Sequence, residues 1–293
     1  MAPKKIALLT DSCVDLPPDI LRENRVYTVP LRILCQDGEY LDGVTIRSAD
    51  VYRRLRSGEI PKTSLPSTES LEATLRQILA DGYDGILAVM VSSGISGTYN
   101  LVRLAAEELE EEYPHVSMRV YDSLSGSVGQ ALVLLQIAED IKNGYDWETL
   151  TERRIPFLIR NTMVAFSVDT LEYLAKGGRI GKITAAAGTL LQIKPILGFS
   201  PDDGQLQSIA KARGRNLVAG KLTELMVKRC GNCKKYNLAV ANGGDPAGME
   251  LVRAKLTAAL PDYGFLCDGE INGTFSVYIG DGILGAGVQL LDE

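Results

Sequence analysis

Hydrophobic and polar positions in the first half of the chain repeat one arrangement. Short runs rich in apolar residues at 6–9, 86–91 and 118–121 read as buried strands. Each is followed by a stretch with helical spacing, at 18–24, 98–111 and 128–142. This alternation predicts an α/β unit with a mostly parallel sheet. The second half follows another rhythm. Residues 163–168 read as a strand, Asp169 as the cap of a helix over 170–175, and 195–200 with 205–211 as a hairpin around Asp202-Asp203-Gly204. A strand at 237–241 precedes a helix at 246–259, and 275–279 and 283–290 read as the last two strands, flanking a Gly-rich turn. The pattern predicts an N-terminal α/β domain over 1–160 and a C-terminal α+β domain over 161–293, without a low-complexity linker.

At 293 residues the chain is long enough for two domains and a sizeable core. Its formal charge of −6 excludes the basic stripe of a nucleic-acid binder. The acidic run at 107–112 reads as a solvated helix face. No run approaches the roughly 18 apolar residues of a membrane span. The start lacks the apolar core of a signal peptide, so a cytoplasmic protein is expected. Five scattered cysteines read as reduced thiols. Cys230 and Cys233 have no second ligand pair at zinc spacing, and no metal is expected.

Two segments carry candidate chemistry. Ser92-Ser93-Gly94-Ile95-Ser96-Gly97-Thr98 lies between a strand and a helix, so its hydroxyls and free N–H groups belong at a helix N-terminus, a place that binds anions. After Pro61-Lys62-Thr63-Ser64-Leu65-Pro66-Ser67 a helix is expected, with Ser67 or Thr68 as its N-cap, so capping accounts for Ser67. It does not account for Thr63 and Ser64, which lie upstream of it.

Other motifs fit known machinery less well. Ser96 has Thr98 where a nucleophile elbow needs glycine, and the single histidine, His115, sits in a surface-like loop. Residues 280–285 match G-x-G-x-x-G, yet only eight residues follow, too few for a dinucleotide-binding unit. The stretch Lys176-Gly177-Gly178-Arg179-Ile180-Gly181-Lys182 misses the phosphate-loop spacing, leaving either a helix C-cap at Gly177 or a cationic loop for an anion or an acidic partner. Asp11 and Asp15 lack the D-x-D spacing of a phosphatase, and Asp11 with Ser12 reads as ordering the first loop.

The combination of Thr10-Asp11-Ser12 with Asp15, Lys62-Thr63-Ser64 with Pro66-Ser67, Ser92-Ser93 with Ser96-Gly97-Thr98-Tyr99, the run from Asp169 through Leu174 into Lys176-Gly177-Gly178-Arg179-Ile180, and Lys194-Pro195-Ile196-Leu197 resembles the DegV family. These are bacterial fatty-acid-binding proteins that include the FakB-type subunits of fatty acid kinase. The resemblance spans essentially the whole chain. It implies two domains, an acyl chain such as palmitate or oleate in an apolar tunnel, and a carboxylate held at the domain junction. It further implies that Thr63 and Ser96 bond the carboxylate, with the Gly97 N–H, Ser93 and Ser64 completing the cradle. Arg179 is expected on the headgroup side or facing a partner, a separate kinase that phosphorylates the bound acid. No cofactor is implied.

The chain departs from the family at its C-terminal His-x-Gly-Pro-Gly segment, which here reads Tyr278-Ile279-Gly280-Asp281-Gly282. Tyr278 can still donate to a ligand, but it carries no positive charge near neutral pH, and Asp281 would repel a nearby carboxylate. Either this loop stays clear of the headgroup or the ligand differs from the family norm. A small-molecule phosphotransferase, a serine hydrolase using Ser96, and an interaction subunit without a ligand remain as alternatives.

Overall fold

The computed structural model describes residues 4–183 and 193–292. Residues 1–3, part of the start read for a leader, lie outside the described residues. The strands are β1 (Ile6–Asp11), β2 (Val26–Val29), β3 (Arg32–Cys35), β4 (Gly38–Leu41), β5 (Lys62–Ser64), β6 (Gly85–Met90), β7 (Ser117–Asp122), β8 (Thr162–Ser167), β9 (Ile193–Phe199), β10 (Leu206–Arg213), β11 (Tyr236–Gly243), β12 (Leu266–Glu270) and β13 (Ile283–Leu290). The helices are α1 (Pro18–Glu23), α2 (Ser48–Arg56), α3 (Thr68–Ala80), α4 (Thr98–Glu112), α5 (Val128–Lys142), α6 (Ile155–Arg160), α7 (Glu172–Lys176), α8 (Val218–Cys230), α9 (Pro246–Ala259) and α10 (Gly273–Ile279).

The architecture is α/β. A four-stranded parallel sheet has the order β2-β1-β6-β7, and a mixed six-stranded sheet has the order β10-β9-β8-β13-β11-β12. A small antiparallel sheet, β4-β3-β5, adds a third layer fragment. Helix α5 lies between the two large sheets. Its buried residues run around the whole circumference, and its leucines and valines join Leu87 and Val89 of one sheet to Val164 and Ala239 of the other in one core. On the far face of the parallel sheet, α3 and α4 cover Leu9, Ile86 and Met90. On the far face of the mixed sheet, α8 and α9 cover Ile196, Leu238 and Val288. The order of layers is therefore helix, parallel sheet, helix, mixed sheet, helix.

The strongly patterned elements lie where the sequence puts them, including the β9–β10 hairpin with its register shift at Ser208 and Ala210. Ser67 caps α3, its hydroxyl accepting from the Ser70 N–H. Two readings need correction. Residues 275–279 are not a strand; they form the body of α10, capped by Asn272, whose side chain accepts from the Phe275 N–H. The Gly-rich turn after them therefore joins a helix to a strand. Asp169 is not a cap either: Leu171 holds that position of α7, and Asp169 pairs with Lys194 at 2.8 Å and with Arg215.

The parallel sheet fixes where a site can form. From β1 the chain goes outward to β2, then returns on the other side of β1 to make β6. The carboxyl ends of β1 and β6 are thus a topological switch point, where consecutive connections diverge and leave a crevice. The loops after β1, β6 and β7 all open there.

Candidate ligand-binding site

A cavity of about 250 Å³ opens at this crevice and runs between the parallel-sheet loops and the inner face of the mixed sheet. Thr63, Ser64, Ser96, Arg179 and Tyr278 supply polar groups to its lining. Aromatic and aliphatic side chains make most of the rest, with Phe166, Phe199 and Phe275 prominent and Phe166 tilted against Phe199 at 6.4 Å between centroids. Space comes from small residues where larger ones would fill it: Ala165, Ala241, Gly285 and Ala286 line the mixed-sheet side.

Thr63 is held by the central β3 strand, paired with Ile33, while Arg32 donates to the Ser64 hydroxyl at 3.0 Å. Ser96 lies just before α4. Its hydroxyl accepts from the Thr98 N–H at 3.3 Å and shares a hydrogen bond of 2.9 Å with the Thr98 hydroxyl. The helix beyond it has fifteen residues, so its positive end adds to the attraction for an anion at this spot. Gly97 caps α4 and packs on Leu65, and Ser93 donates its N–H to Asp122. Gly97 and Ser93 are therefore beside the cavity and not among its lining residues.

The C-terminal segment does reach the polar end. Tyr278 projects from α10 to within 2.5 Å of the Thr63 hydroxyl. Its ring packs closely against Gly177, where an added Cβ would stand 2.4 Å from two ring carbons, so a glycine is required there. On its other side the Arg179 guanidinium sits 5.2 Å from the ring centroid, while donating to the Gly177 carbonyl. Asp281 is turned away, exposed and paired with Arg56 at 2.6 Å. The repulsion anticipated from the sequence is thus directed at solvent.

Beneath the polar end lie three buried carboxylates. Asp11 accepts from the Val91 N–H at 2.7 Å, locking the β1 loop to the end of β6, and burial lifts its carboxyl to about 6 despite those donors. Asp15 accepts from Ser127 and from both the backbone and side-chain nitrogens of Asn272, and burial raises it to about 7. Asp42 accepts from Ser12, from the Gly273 and Thr274 N–H groups and from the Thr274 hydroxyl; burial raises it as well. Two of the three therefore fasten the first turn of α10, the helix that carries Phe275 and Tyr278 into the cavity. Asp15 stood out in the sequence beside Asp11, as a pair without the D-x-D spacing, and through the resemblance; Asp42 did not stand out at all. Its one local signal is its place in the turn Asp42-Gly43.

A serine-hydrolase reading of Ser96 that relies on histidine as the base does not fit the geometry. His115 is exposed beyond the far end of α4, whose fifteen residues separate the two by about 22 Å along the axis. Cys13 lines the cavity, but burial and the three neighbouring carboxylates push its thiol well up, which disfavours the reactive thiolate.

Comparison with known proteins gives matches over nearly the whole chain. Residues 5–290 match the family model described as "Uncharacterised protein, DegV family". A DegV domain-containing protein of Clostridium acetobutylicum is 36% identical over 283 residues, covering 96% of this chain and 98% of the relative. Among solved structures, one described as fatty acid binding of a DegV family protein from Thermus thermophilus superposes with a TM-score of 0.89 at 28% identity, covering 98% and 99% of the two chains. A stearic-acid-binding protein from Eubacterium ventriosum gives 0.87 at 27% identity, with 97% and 98% covered.

Proposed function

The chain belongs to the DegV family, and on that premise we propose that it binds one long-chain fatty acid, with the tail in the cavity and the carboxylate at Thr63 and Ser96. The observation that carries this reading is the polarity of the cavity: hydroxyls and a guanidinium gather at one end of an otherwise largely apolar lining. A carboxylate there accepts from Thr63, Ser96 and the Tyr278 phenol, next to the positive end of α4. Arg179 adds charge from the rim. Ser64, already engaged by Arg32, completes the wall, and Ser93 and the Gly97 N–H act indirectly by shaping the loop.

Tail burial dominates the affinity. About 15 methylenes at about 0.8 kcal/mol each contribute on the order of 12 kcal/mol before association and ordering costs are subtracted. Headgroup contacts then set the direction in which the chain enters. In this reading the protein is a non-catalytic carrier acting in the cytoplasm, built of units dividing near residue 160. A separate kinase phosphorylates the presented carboxylate beside the exposed Arg179. Among the described residues, no helix is long and apolar enough to cross a membrane.

Native mass spectrometry of the purified protein tests the reading. The expected result is a mass increment of one fatty acid, exchangeable for added stearate. An apo species that fails to take up stearate or oleate overturns it.

A further inference from the structure

The acyl cavity is not apolar along its whole course. Thr274 and Ser127 both line it. Thr274 lies one turn before Tyr278 on α10, about 6 Å along the helix axis, and so stands apart from the phenol at the carboxylate end. Ser127 comes from the loop between β7 and α5, with the unusual backbone angles φ 55° and ψ −138°. Such a conformation is strained for a residue with a side chain and marks a position over-determined by its surroundings.

Each of these hydroxyls has a single proton, and in both it is engaged. Ser127 Oγ donates to Asp15 Oδ2 at 2.5 Å, and Thr274 Oγ1 donates to Asp42 Oδ2 at 2.5 Å. The Ser127 proton is not easily redirected, because Asp15 Oδ2 would be left short of a donor, whereas Asp42 Oδ2 also accepts from the Ser12 hydroxyl and the Thr274 N–H and can release the Thr274 proton. Among the described residues no group donates to either hydroxyl oxygen. What remains on the Ser127 oxygen is acceptor capacity on the lining of a largely apolar channel. An alkyl chain makes no use of it. A ligand hydroxyl would donate to it, whereas a ligand carbonyl, being an acceptor itself, would meet only an acceptor there.

We propose that Ser127 forms a recognition point for a hydroxyl borne along the acyl chain, so that the cavity takes monohydroxylated long-chain fatty acids in preference to their keto counterparts. The inference rests on the fatty-acid reading above and adds a substrate class to it. In a fully apolar tunnel an unpaired hydroxyl would weaken binding about tenfold or more relative to the plain acid. Here the isomer whose hydroxyl lies opposite Ser127 binds at least as tightly as stearate.

The test is competitive binding at pH 8, where Asp15 is ionised and holds the Ser127 proton. Stearate is compared with a positional series of monohydroxystearates and the matching ketostearates. The expected result is one position at which the hydroxy acid equals or exceeds stearate and exceeds its keto partner about tenfold. In Ser127→Ala the ratio of hydroxy to stearate affinity at that position falls about tenfold. Hydroxy acids weaker than stearate at every position, or equal to the keto acids throughout, overturn the inference while leaving the fatty-acid reading intact. Failure of stearate itself to bind overturns the fatty-acid reading instead. Because the wild-type series is decisive alone, the outcome does not depend on the variant folding.

Discussion

The contact between Thr63 and Tyr278 can be taken apart by a double-mutant cycle on ligand affinity. The two hydroxyls are 2.5 Å apart although 215 residues separate them in the chain. They satisfy each other, so a carboxylate that binds them must exchange that bond for bonds to itself. A hydrogen bond to a charged acceptor is worth about 1.5–3 kcal/mol and a neutral one about 1 kcal/mol. Thr63→Val removes a donor to the charge, a loss offset by about 1 kcal/mol for the bond to the phenol, so Kd is expected to rise roughly 2- to 30-fold. Tyr278→Phe keeps the ring packed on Gly177 and under Arg179 and loses only the hydroxyl. The part of that loss offset by the broken free-state bond leaves about 1 kcal/mol, roughly fivefold. Because the bond between the two hydroxyls offsets each single variant but is lost only once in the double variant, the double variant should exceed the sum by about 0.5–1 kcal/mol. Isothermal titration with stearate, or displacement of a fluorescent fatty acid, reads all four corners. Additive effects within about 0.3 kcal/mol, or no effect of Thr63→Val, would refute the shared-cradle argument.

Three further outcomes follow from the same geometry. Gly126 faces Phe275, whose ring an added Cβ would meet at 2.5 Å; Gly126→Val should drive that ring into the cavity and weaken stearate at least tenfold with an unchanged circular-dichroism spectrum, and undiminished affinity would count against the assigned tail path. Asp42→Ala strips the acceptor from Ser12, Gly273 and Thr274 and should cost roughly 3 kcal/mol or more, with faster hydrogen exchange concentrated in α10; uniform exchange would show that the carboxylate does not hold this helix. Asp15 is raised by burial from 3.8 to about 7, so its contribution to stability is full below about pH 4 and is lost as pH climbs through 7, a fall on the order of 4 kcal/mol. Urea denaturation of Asp15→Asn should therefore show a flatter profile between pH 4.5 and 8 than wild type, and parallel profiles would contradict the assignment.

Long, strongly periodic segments were legible in the sequence because their state is decided by residues within a few positions. α5 and α9 begin and end where their spacing predicts, and Ser67 caps α3 as its position before Glu69 and Ser70 suggests. The anion-ready loop at 92–98 was equally legible, since a hydroxyl-rich turn between strand and helix can hardly be elsewhere than at a helix N-terminus. Strands β2 to β5, of three or four residues each, left too little pattern to read.

The clearest misreading shows what was missing. In Phe275-Ser276-Val277-Tyr278-Ile279, apolar residues alternate as in a strand, yet the segment is helical. The first N–H groups of a helix have no intrahelical partners. Here Asp42 accepts from Gly273 and Thr274, and Asn272 accepts from Phe275. A carboxylate 231 residues upstream thus helps decide the state of a seven-residue segment. The helical state in turn aims Tyr278 at Thr63.

By itself the sequence determined the α/β alternation, the hydroxyl-bearing loops and the family pattern, all of which depend on local spacing and residue type. Tertiary structure alone decided that Tyr278 meets Thr63, that Asp281 turns to Arg56 and solvent, and that a cavity with an acceptor point inside it lies between the sheets. Those outcomes depend on which distant groups satisfy one another's hydrogen bonds when two sheets close over one helix. No local window of the chain contains that information.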